Sequence, residues 1–550
     1  MPSLFHNPFY SRLPTSSSRL PELALDDSES EPDAPFLQSE LSLPRPAFAK
    51  STNRRKWTAP LLASVGTTVT LALFIVLLIL PRRVSSKVDH SEYFAAAARN
   101  SVADLRDRQS RTLAQATARY TLKTGRQPPR NYDRWFQFAQ EHKCLIDDYD
   151  QIHRDFKPFY QLAEDDPAFF QRMIDAAAVM NGDNRGLGRW HIQNGNVEET
   201  SGTSVAYSYY WQVTLGKFAH ILPDLTVVIN ARDQPRVVFD VRQTGKEIRE
   251  RARKLTEKTP FNVSPKQTQT YFAGQPGCTI LRNPDGFPDV ASDDSAFLLS
   301  SAMSQFTEDL YPILSMAKIG PCFADILFPI EYYYQRSWWY RKFSYANNIP
   351  WDRKKAQLYW RGIASGGQIV DSNYHNFTRF RLVDLARKHP DLINGRITSF
   401  ADELCSVAVC DKAKILKEYD ITGERSQKED AYGYKYLLDL DGTTFSGRFL
   451  GLLRSGSLVF KMTVFQEYFN DWLRPYEHYI PVASDLSDLT EKLAWAKENE
   501  VEARMIQERG REMAERVVTD EQNDCYFSLV LLEWARLQEM ARTNNISTFR

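Results

Sequence analysis

Read for apolar and polar periodicity, the chain falls into stretches of different character. The first 58 residues are rich in Ser, Pro, Leu and charge and carry neither a helical nor a strand period, which predicts a disordered tail. Residues 59–80 (APLLASVGTTVTLALFIVLLIL) contain no charge. A helix of that length spans a bilayer core of about 30 Å, and Pro60 stands at its start, where proline is tolerated. A buried core helix is the alternative, and so long an uncharged run disfavours it. Residues 81–130 read as a stem, Ala-, Arg- and Gln-rich over 91–118 with high helix propensity.

From about Asn131 the pattern becomes aromatic and globular. Tyr132-Asp-Arg-Trp-Phe-Gln-Phe-Ala predicts a short amphipathic helix, and Asp166-Pro-Ala-Phe-Phe opens another behind a capping Asp. Leu225-Thr-Val-Val-Ile-Asn is a buried strand closed by Ala231-Arg-Asp-Gln-Pro. The aromatic stretch 323–351 marks an interdomain connection. Beyond it strands are expected at 356–360, 395–400, 435–440, 457–461 and 478–482. Helices are expected at 377–388, 446–454 and 486–499, with a further helical run over 500–516. Strands alternating with helices predict a doubly wound parallel sheet, whose ligands sit beyond the carboxyl ends of its strands. Two domains, 131–350 and 351–550, suit a chain of 550 residues.

Charge refines the topology. Arg45, Lys50, Arg54, Arg55 and Lys56 precede the apolar run, against Arg82, Arg83 and Lys87 after it. The excess lies on the N-terminal side, which predicts a cytosolic N-terminus and a lumenal C-terminal part. The run begins far from Met1, unlike a cleaved signal peptide. All six cysteines (Cys144, Cys278, Cys322, Cys405, Cys410, Cys525) follow it, as suits disulfides in an oxidising compartment. Cys405 with Cys410 and Cys278 with Cys322 are plausible pairs. Sequons at Asn262, Asn376 and Asn545 fall on the same side. Overall, 69 basic and 69 acidic residues balance, which argues against a nucleic-acid binder.

Three constellations carry chemistry. In Leu358-Tyr-Trp-Arg-Gly-Ile-Ala-Ser-Gly-Gly a strand ends at Trp360, and Arg361, Gly362, Ser365 and Gly366 form a loop able to approach a phosphate; a plain glycine-rich turn is the alternative. In Tyr434-Lys-Tyr-Leu-Leu-Asp-Leu-Asp-Gly-Thr-Thr-Phe-Ser-Gly-Arg-Phe a strand delivers Asp439 and Asp441 to its end, Gly442 turns the chain, Ser446 is placed to cap a helix and Arg448 lies in its first turn. An arginine there opposes the helix dipole, which a bound diphosphate would explain. Asp439-Leu-Asp441 also has the form of a metal-binding DxD, although no metal site is expected. In Ile229-Asn-Ala-Arg-Asp-Gln-Pro-Arg, Asp233 stands at a strand end, where it is either a loop-capping residue or a general base. The chain has neither GxxxxGK[ST] nor GxGxxG, which disfavours a P-loop or nicotinamide enzyme.

The blocks WRGIASGG, NFTRFRLVDLAR, YKYLLDLDGTTFSGRFLGLLRSGSLVFKMTVFQEYF and LRPYEHYIPVASDLSDL resemble glycosyltransferase family 90 in order and spacing. This is the group of fungal capsule-associated xylosyltransferases and animal protein O-glucosyltransferases; INARDQPRVV is a thinner echo upstream. The resemblance implies an α/β, GT-B-like fold of two Rossmann-type domains facing across a cleft, here preceded by a transmembrane helix. It implies an inverting transfer of xylose or glucose from a UDP-sugar to a glycan or protein hydroxyl, with residues 131–350 on the acceptor side and 351–550 holding the nucleotide. Arg361, Gly362, Ser365, Gly366, Asp441, Gly442, Ser446, Arg448 and Phe449 would line the donor site, and Asp233 matches the proposed base. No cofactor is required, though Mn or Mg could stimulate. Asp441 stands where some members have arginine, and the sequon at Asn376 falls near the presumed cleft. The anchor, and a C-terminus without a KDEL-type signal, favour the Golgi membrane over the endoplasmic reticulum. A catalytically inactive carbohydrate- or protein-binding module on the same fold is the other expectation.

Overall fold

The computed structural model divides into two units, Met1–Ser86 and Lys87–Arg550. It describes residues 101–179, 186–200, 207–237, 239, 310–320, 323–366, 369, 372–400, 404–405, 410–424, 426–442 and 444–547. The expected tail, the apolar run 59–80, Asn262 and the Cys278–Cys322 pair lie outside the described residues. Among the described residues no helix is long and apolar enough to cross a membrane.

The first lobe opens with helices α1 (Val102–Asp107), α2 (Leu113–Thr124), α3 (Tyr132–Glu141), α4 (Asp150–Ala163) and α5 (Phe169–Val179). Strands β1 (Leu187–Gln193) and β2 (Asn196–Glu199), helix α6 (Ser208–Phe218) and strands β3 (Leu225–Asn230), β4 (Leu314–Ser315) and β5 (Ile326–Leu327) complete it. The sheet runs β2-β1-β3-β4-β5. The β3-β4-β5 half is parallel, whereas β1 pairs antiparallel with both β2 and β3. β3 is buried along its whole length, as an apolar strand covered on both faces must be. Asn194 and Gly195 close the β1–β2 hairpin with φ of 50° and 76°, the two positive angles that such a tight turn demands.

A connecting segment carrying α7 (Trp338–Lys342) leads into the second lobe. There follow β6 (Lys355–Ala364), α8 (Thr378–Lys388), β7 (Ile393–Phe400), α9 (Lys412–Glu418) and β8 (Tyr434–Leu440). Then come α10 (Phe449–Arg454), β9 (Leu458–Met462), β10 (Ile480–Pro481), α11 (Leu489–Glu498), α12 (Glu500–Arg516) and α13 (Asp520–Ser547). The second sheet is parallel throughout, in the order β10-β9-β8-β6-β7.

Several expectations are corrected. Residues 101–130 are not a detached stem: Ala116 and Tyr120 of α2 are buried in the first-lobe core, and the Tyr120 hydroxyl donates to Glu533. α13 does not close the second lobe. It returns to the first, where Trp534 Nε1 donates to the Thr226 carbonyl (2.8 Å) and the Gln538 amide oxygen accepts from Thr226 N (3.0 Å). That return brings Cys525 to Cys144, a disulfide across 381 positions that sequence spacing did not suggest. The expected Cys405–Cys410 bridge is present. β6 continues past Trp360 to Ala364, with a register shift against β7 between Gly362 and Ile363, so Arg361 and Gly362 belong to a strand rather than a loop.

Candidate active site

In the second sheet the chain leaves β6 toward β7 on one side and leaves β8 toward β9 on the other. A crevice must therefore open between the carboxyl ends of β6 and β8, the switch point at which such sheets take their ligands. Arg379, in the first turn of α8, reaches into it. Its Nε donates to the Asp441 carbonyl (3.0 Å) and its Nη1 to the Ile363 carbonyl (2.7 Å), so one guanidinium ties the two strand ends together. The same group lies 5.6 Å from the Trp360 ring. A Cβ on Gly442 would stand 2.7 Å from Arg379 Nη2 and 3.1 Å from Ser365 Oγ, so only glycine permits this approach. Gly366 turns the chain after β6 at φ 103°.

Arg448 enters from the other side of the crevice. Its Nη1 donates to the Arg361 carbonyl (2.8 Å), and it also bonds the Tyr345 hydroxyl. Burial pushes the Arg379 pKa down to about 9, and the Arg448 charge pushes the same way, against a partial offset from Asp441 and Asp439. Among the described residues neither Arg379 nor Arg448 forms an ion pair with a carboxylate. Two like charges held together in a buried place are unfavourable by themselves, and an oxyanion would relieve them.

Beneath the crevice lies an acidic cluster around one ammonium. Lys461 Nζ bonds Asp439 at 2.8 Å and sits 4.0 Å above the Phe449 ring. Burial raises Asp441 to about 7, opposed by Lys461 and by the Val464 amide, which donates to it at 2.9 Å. Burial likewise raises Glu467 to about 8, and the Tyr333 hydroxyl donates to it from the connecting segment. Among the described residues no group of three His, Cys, Asp or Glu side chains is placed to hold a metal.

Asp233 stands on the loop after β3, which Asn230 braces. Asn230 Oδ1 accepts from Arg232 N (3.0 Å) and Arg236 Nε (3.1 Å), while its Nδ2 donates to the Gln234 carbonyl (2.7 Å). Asp325 fixes the end of the loop by accepting from the amides of Arg236 and Val237 at 2.8 and 2.9 Å. The Asp233 carboxyl is half-buried, and burial raises its pKa while Arg232 pulls it back. Its charge in turn raises the pKa of Tyr207 and of Tyr332, so it lies in their neighbourhood. The two hydroxyls are 3.4 Å apart. Tyr332 packs 6.1 Å from the Phe445 ring, and a Cβ on Gly447 would meet Tyr332 at 2.7 Å. Through Tyr332 the carboxylate side of the first lobe abuts the turn that carries Arg448.

The structure thus gathers Ser365, Gly366, Asp441, Gly442 and Arg448 at one crevice, while Asp233 stands on the first-lobe loop beside Tyr207 and Tyr332. Arg361 is placed differently. Its guanidinium lies 4.4 Å over the Tyr359 ring and donates to the Asn394 carbonyl (2.7 Å) and side chain (2.8 Å), on the face of β6 opposite Trp360 and Arg379. Gly362 lies against the Trp360 ring, where a Cβ would meet it at 2.6 Å. Ser446 does not cap α10: Arg448 holds that position, because the helix starts only at Phe449. Phe449 is buried under Lys461 in the core. Sequence reading missed Arg379. The signal was available, since an arginine in a helix's first turn opposes the dipole as Arg448 was thought to do. Cavities of about 350 and 290 Å³ lie elsewhere, beside Arg106 and Arg516 and beside Arg154 and Trp472.

Known proteins resemble this part of the chain. The model of the family described as glycosyl transferase family 90 matches residues 337–547. Protein O-glucosyltransferase 3 of Homo sapiens is 31% identical over 189 residues, 34% of this chain and 33% of that protein. Protein O-glucosyltransferase 2 of Danio rerio is 31% identical over 189 residues, 34% of each. Protein O-glucosyltransferase 1 of Rattus norvegicus is 31% identical over 197 residues, 35% of this chain and 44% of the relative. The match spans about a third of the length of the first two. It takes in β6, α8, β8 and α10 with the turn that carries Arg448, and residues 337–547 are therefore similar to glycosyltransferase family 90.

Proposed function

We propose that this chain transfers a sugar, xylose or glucose, with inversion from a UDP-sugar to a glycan or protein hydroxyl. The active site would lie in a GT-B-like cleft between the two lobes. The observation that carries the reading is the pair Arg379 and Arg448. They converge on the switch crevice of a parallel sheet, beside Ser365, Gly366 and Gly442, and among the described residues neither has a paired carboxylate. A diphosphate supplies the missing negative charge.

The chemistry follows from that placement. Asp233 accepts the proton of the acceptor hydroxyl, and burial, by raising its pKa, makes it a better base than an ordinary carboxylate. The acceptor oxygen bonds to the anomeric carbon from the side opposite the diphosphate. The bond from that carbon to the phosphate oxygen breaks, and UDP leaves with the electron pair. Its new charge faces Arg379 and Arg448, a stabilisation worth roughly a few kcal/mol. Arg361 takes part through its carbonyl, which holds Arg448 in place. The apolar run 59–80 anchors the chain in a membrane of the secretory pathway, with the catalytic part lumenal. Names of relatives that include O-glucosyltransferase support glucose, and the resemblance read from the motifs keeps xylose beside it.

The test is release of UDP from UDP-xylose, UDP-glucose and UDP-galactose, and of GDP from GDP-mannose, by the full-length chain. UDP release from one of the first two is expected. Absence of turnover with every donor would contradict the transferase reading and favour a binding module on the same fold.

A further inference from the structure

A band of aromatic rings leads from the Asp233 carboxylate to the surface. The Asp233 charge reaches Tyr207 and Tyr332, whose hydroxyls are 3.4 Å apart, and Trp339 lies 4.9 Å from the first ring and 5.8 Å from the second. From Trp339 the band forks to Trp338 at 6.0 Å and to Tyr210 at 5.7 Å, and Tyr209 follows Tyr210 at 5.6 Å. The outer rings are open: Trp338 is 53% exposed and Tyr209 71%. Rings of this size are ordinarily well buried, and a contiguous exposed group of them marks a binding surface.

The platform is held rigidly. α6 presents Tyr209 and Tyr210, and α7 presents Trp338 and Trp339. Ser337 caps α7 by accepting from Tyr340 N at 3.0 Å. Behind the rings, Glu331 accepts from Thr214 of α6 (2.9 Å) and from Arg336 (3.1 Å), which ties α6 to the segment that leads into α7. Lys342 lies over one face of Trp338 at 5.0 Å. The surface is apolar and fringed with phenol and indole donors, with the Lys342 ammonium at its edge.

We infer that this band is the acceptor subsite and that it takes a carbohydrate chain, whose sugar rings stack on Trp338, Trp339, Tyr209 and Tyr210 while the reacting hydroxyl reaches Asp233. Sugars match the surface. Their C–H faces are apolar enough to lie on an aromatic ring, and their rims carry hydroxyls for the Tyr and Trp polar edges. The inference rests on the transferase reading and narrows its acceptor from any hydroxyl to a glycan.

The experiment measures binding of cello-, xylo- and manno-oligosaccharides to the full-length chain in the presence of UDP, by tryptophan fluorescence and calorimetry. Wild type is compared with Trp338→Ala and Tyr209→Ala. Both side chains are exposed, so the variants keep the fold, and equal UDP affinity confirms it. At least one oligosaccharide series is expected to bind wild type and to weaken about tenfold in Trp338→Ala, with a smaller loss in Tyr209→Ala. No binding by any series, or equal binding by the variants, would overturn the inference. Failure of UDP itself to bind would instead strike the transferase reading, while the oligosaccharide comparison still reports on the platform.

Discussion

The strand ends of the two sheets are built in opposite ways. At the end of β8 and β6 the fold collects cations: Arg379 and Arg448 share a crevice in which neither forms an ion pair with a described carboxylate. At the end of β3 it collects an anion: no described residue donates a hydrogen bond to Asp233, and burial pushes its pKa upward. One site is short of negative charge and the other short of a proton. A reaction that moves a proton from an acceptor to the first lobe and negative charge onto a leaving group in the second would satisfy both. The sheets differ accordingly. The second is wholly parallel, so it has a switch point; the first begins with an antiparallel hairpin and holds its carboxylate on a braced loop.

The largest effect should come from abolishing the base. Asp233→Asn keeps the shape of the loop, since Asn230 and Asp325 hold it, and removes only the proton acceptor. Transfer should fall about 10²–10⁴-fold while UDP affinity stays within about twofold. Near-normal transfer by folded Asp233→Asn protein would place the base elsewhere and break the contrast between the strand ends. In wild type, the acid limb of kcat/KM should lie above the ordinary carboxylate range, because the buried Asp233 must lose its proton before it can act.

A smaller effect concerns stability. Glu467 is raised from 4.5 to about 8 and Asp441 from 3.8 to about 7, both chiefly by burial. The folded state therefore keeps protons that the unfolded state releases between about pH 4 and 8. The contribution of these two groups to stability should be fully present below the ordinary carboxylate values and decline as pH rises toward 8. Glu467→Gln preserves an acceptor for Tyr333 and removes one of the two titrations, so Tm should vary less over that range, by about a few degrees. An unchanged slope of Tm against pH would show that Glu467 does not titrate as its burial requires.

Much of the second lobe was legible because its elements are local. The strands at β6, β7, β8 and β9 and the helix at α8 follow from apolar runs bounded by Gly, Pro and polar residues, and the parallel sheet follows from their alternation. What escaped depends on distance in sequence. α13 looks like a closing helix until Trp534 and Gln538 are seen on β3, and the Cys144–Cys525 bridge follows only from that return. The β1–β2 hairpin carried an Asn194-Gly195 signal that was overlooked. At the site, Arg361 attracted notice because it precedes glycines, but strand alternation turns its guanidinium to Asn394, and α8 supplies Arg379 instead. A one-dimensional motif marks where a strand ends; it does not say which neighbouring element fills the space beyond.

The most direct measurement is calorimetric titration of UDP into the full-length chain, comparing wild type, Arg448→Ala and Arg361→Ala. The carbonyl that anchors Arg448 survives in Arg361→Ala, so that variant should bind UDP nearly as wild type does. Arg448→Ala should bind at least about tenfold more weakly, as loss of a charge-assisted contact to phosphate requires. Equal affinity in Arg448→Ala, or a greater loss in Arg361→Ala, would contradict a diphosphate site built on Arg379 and Arg448.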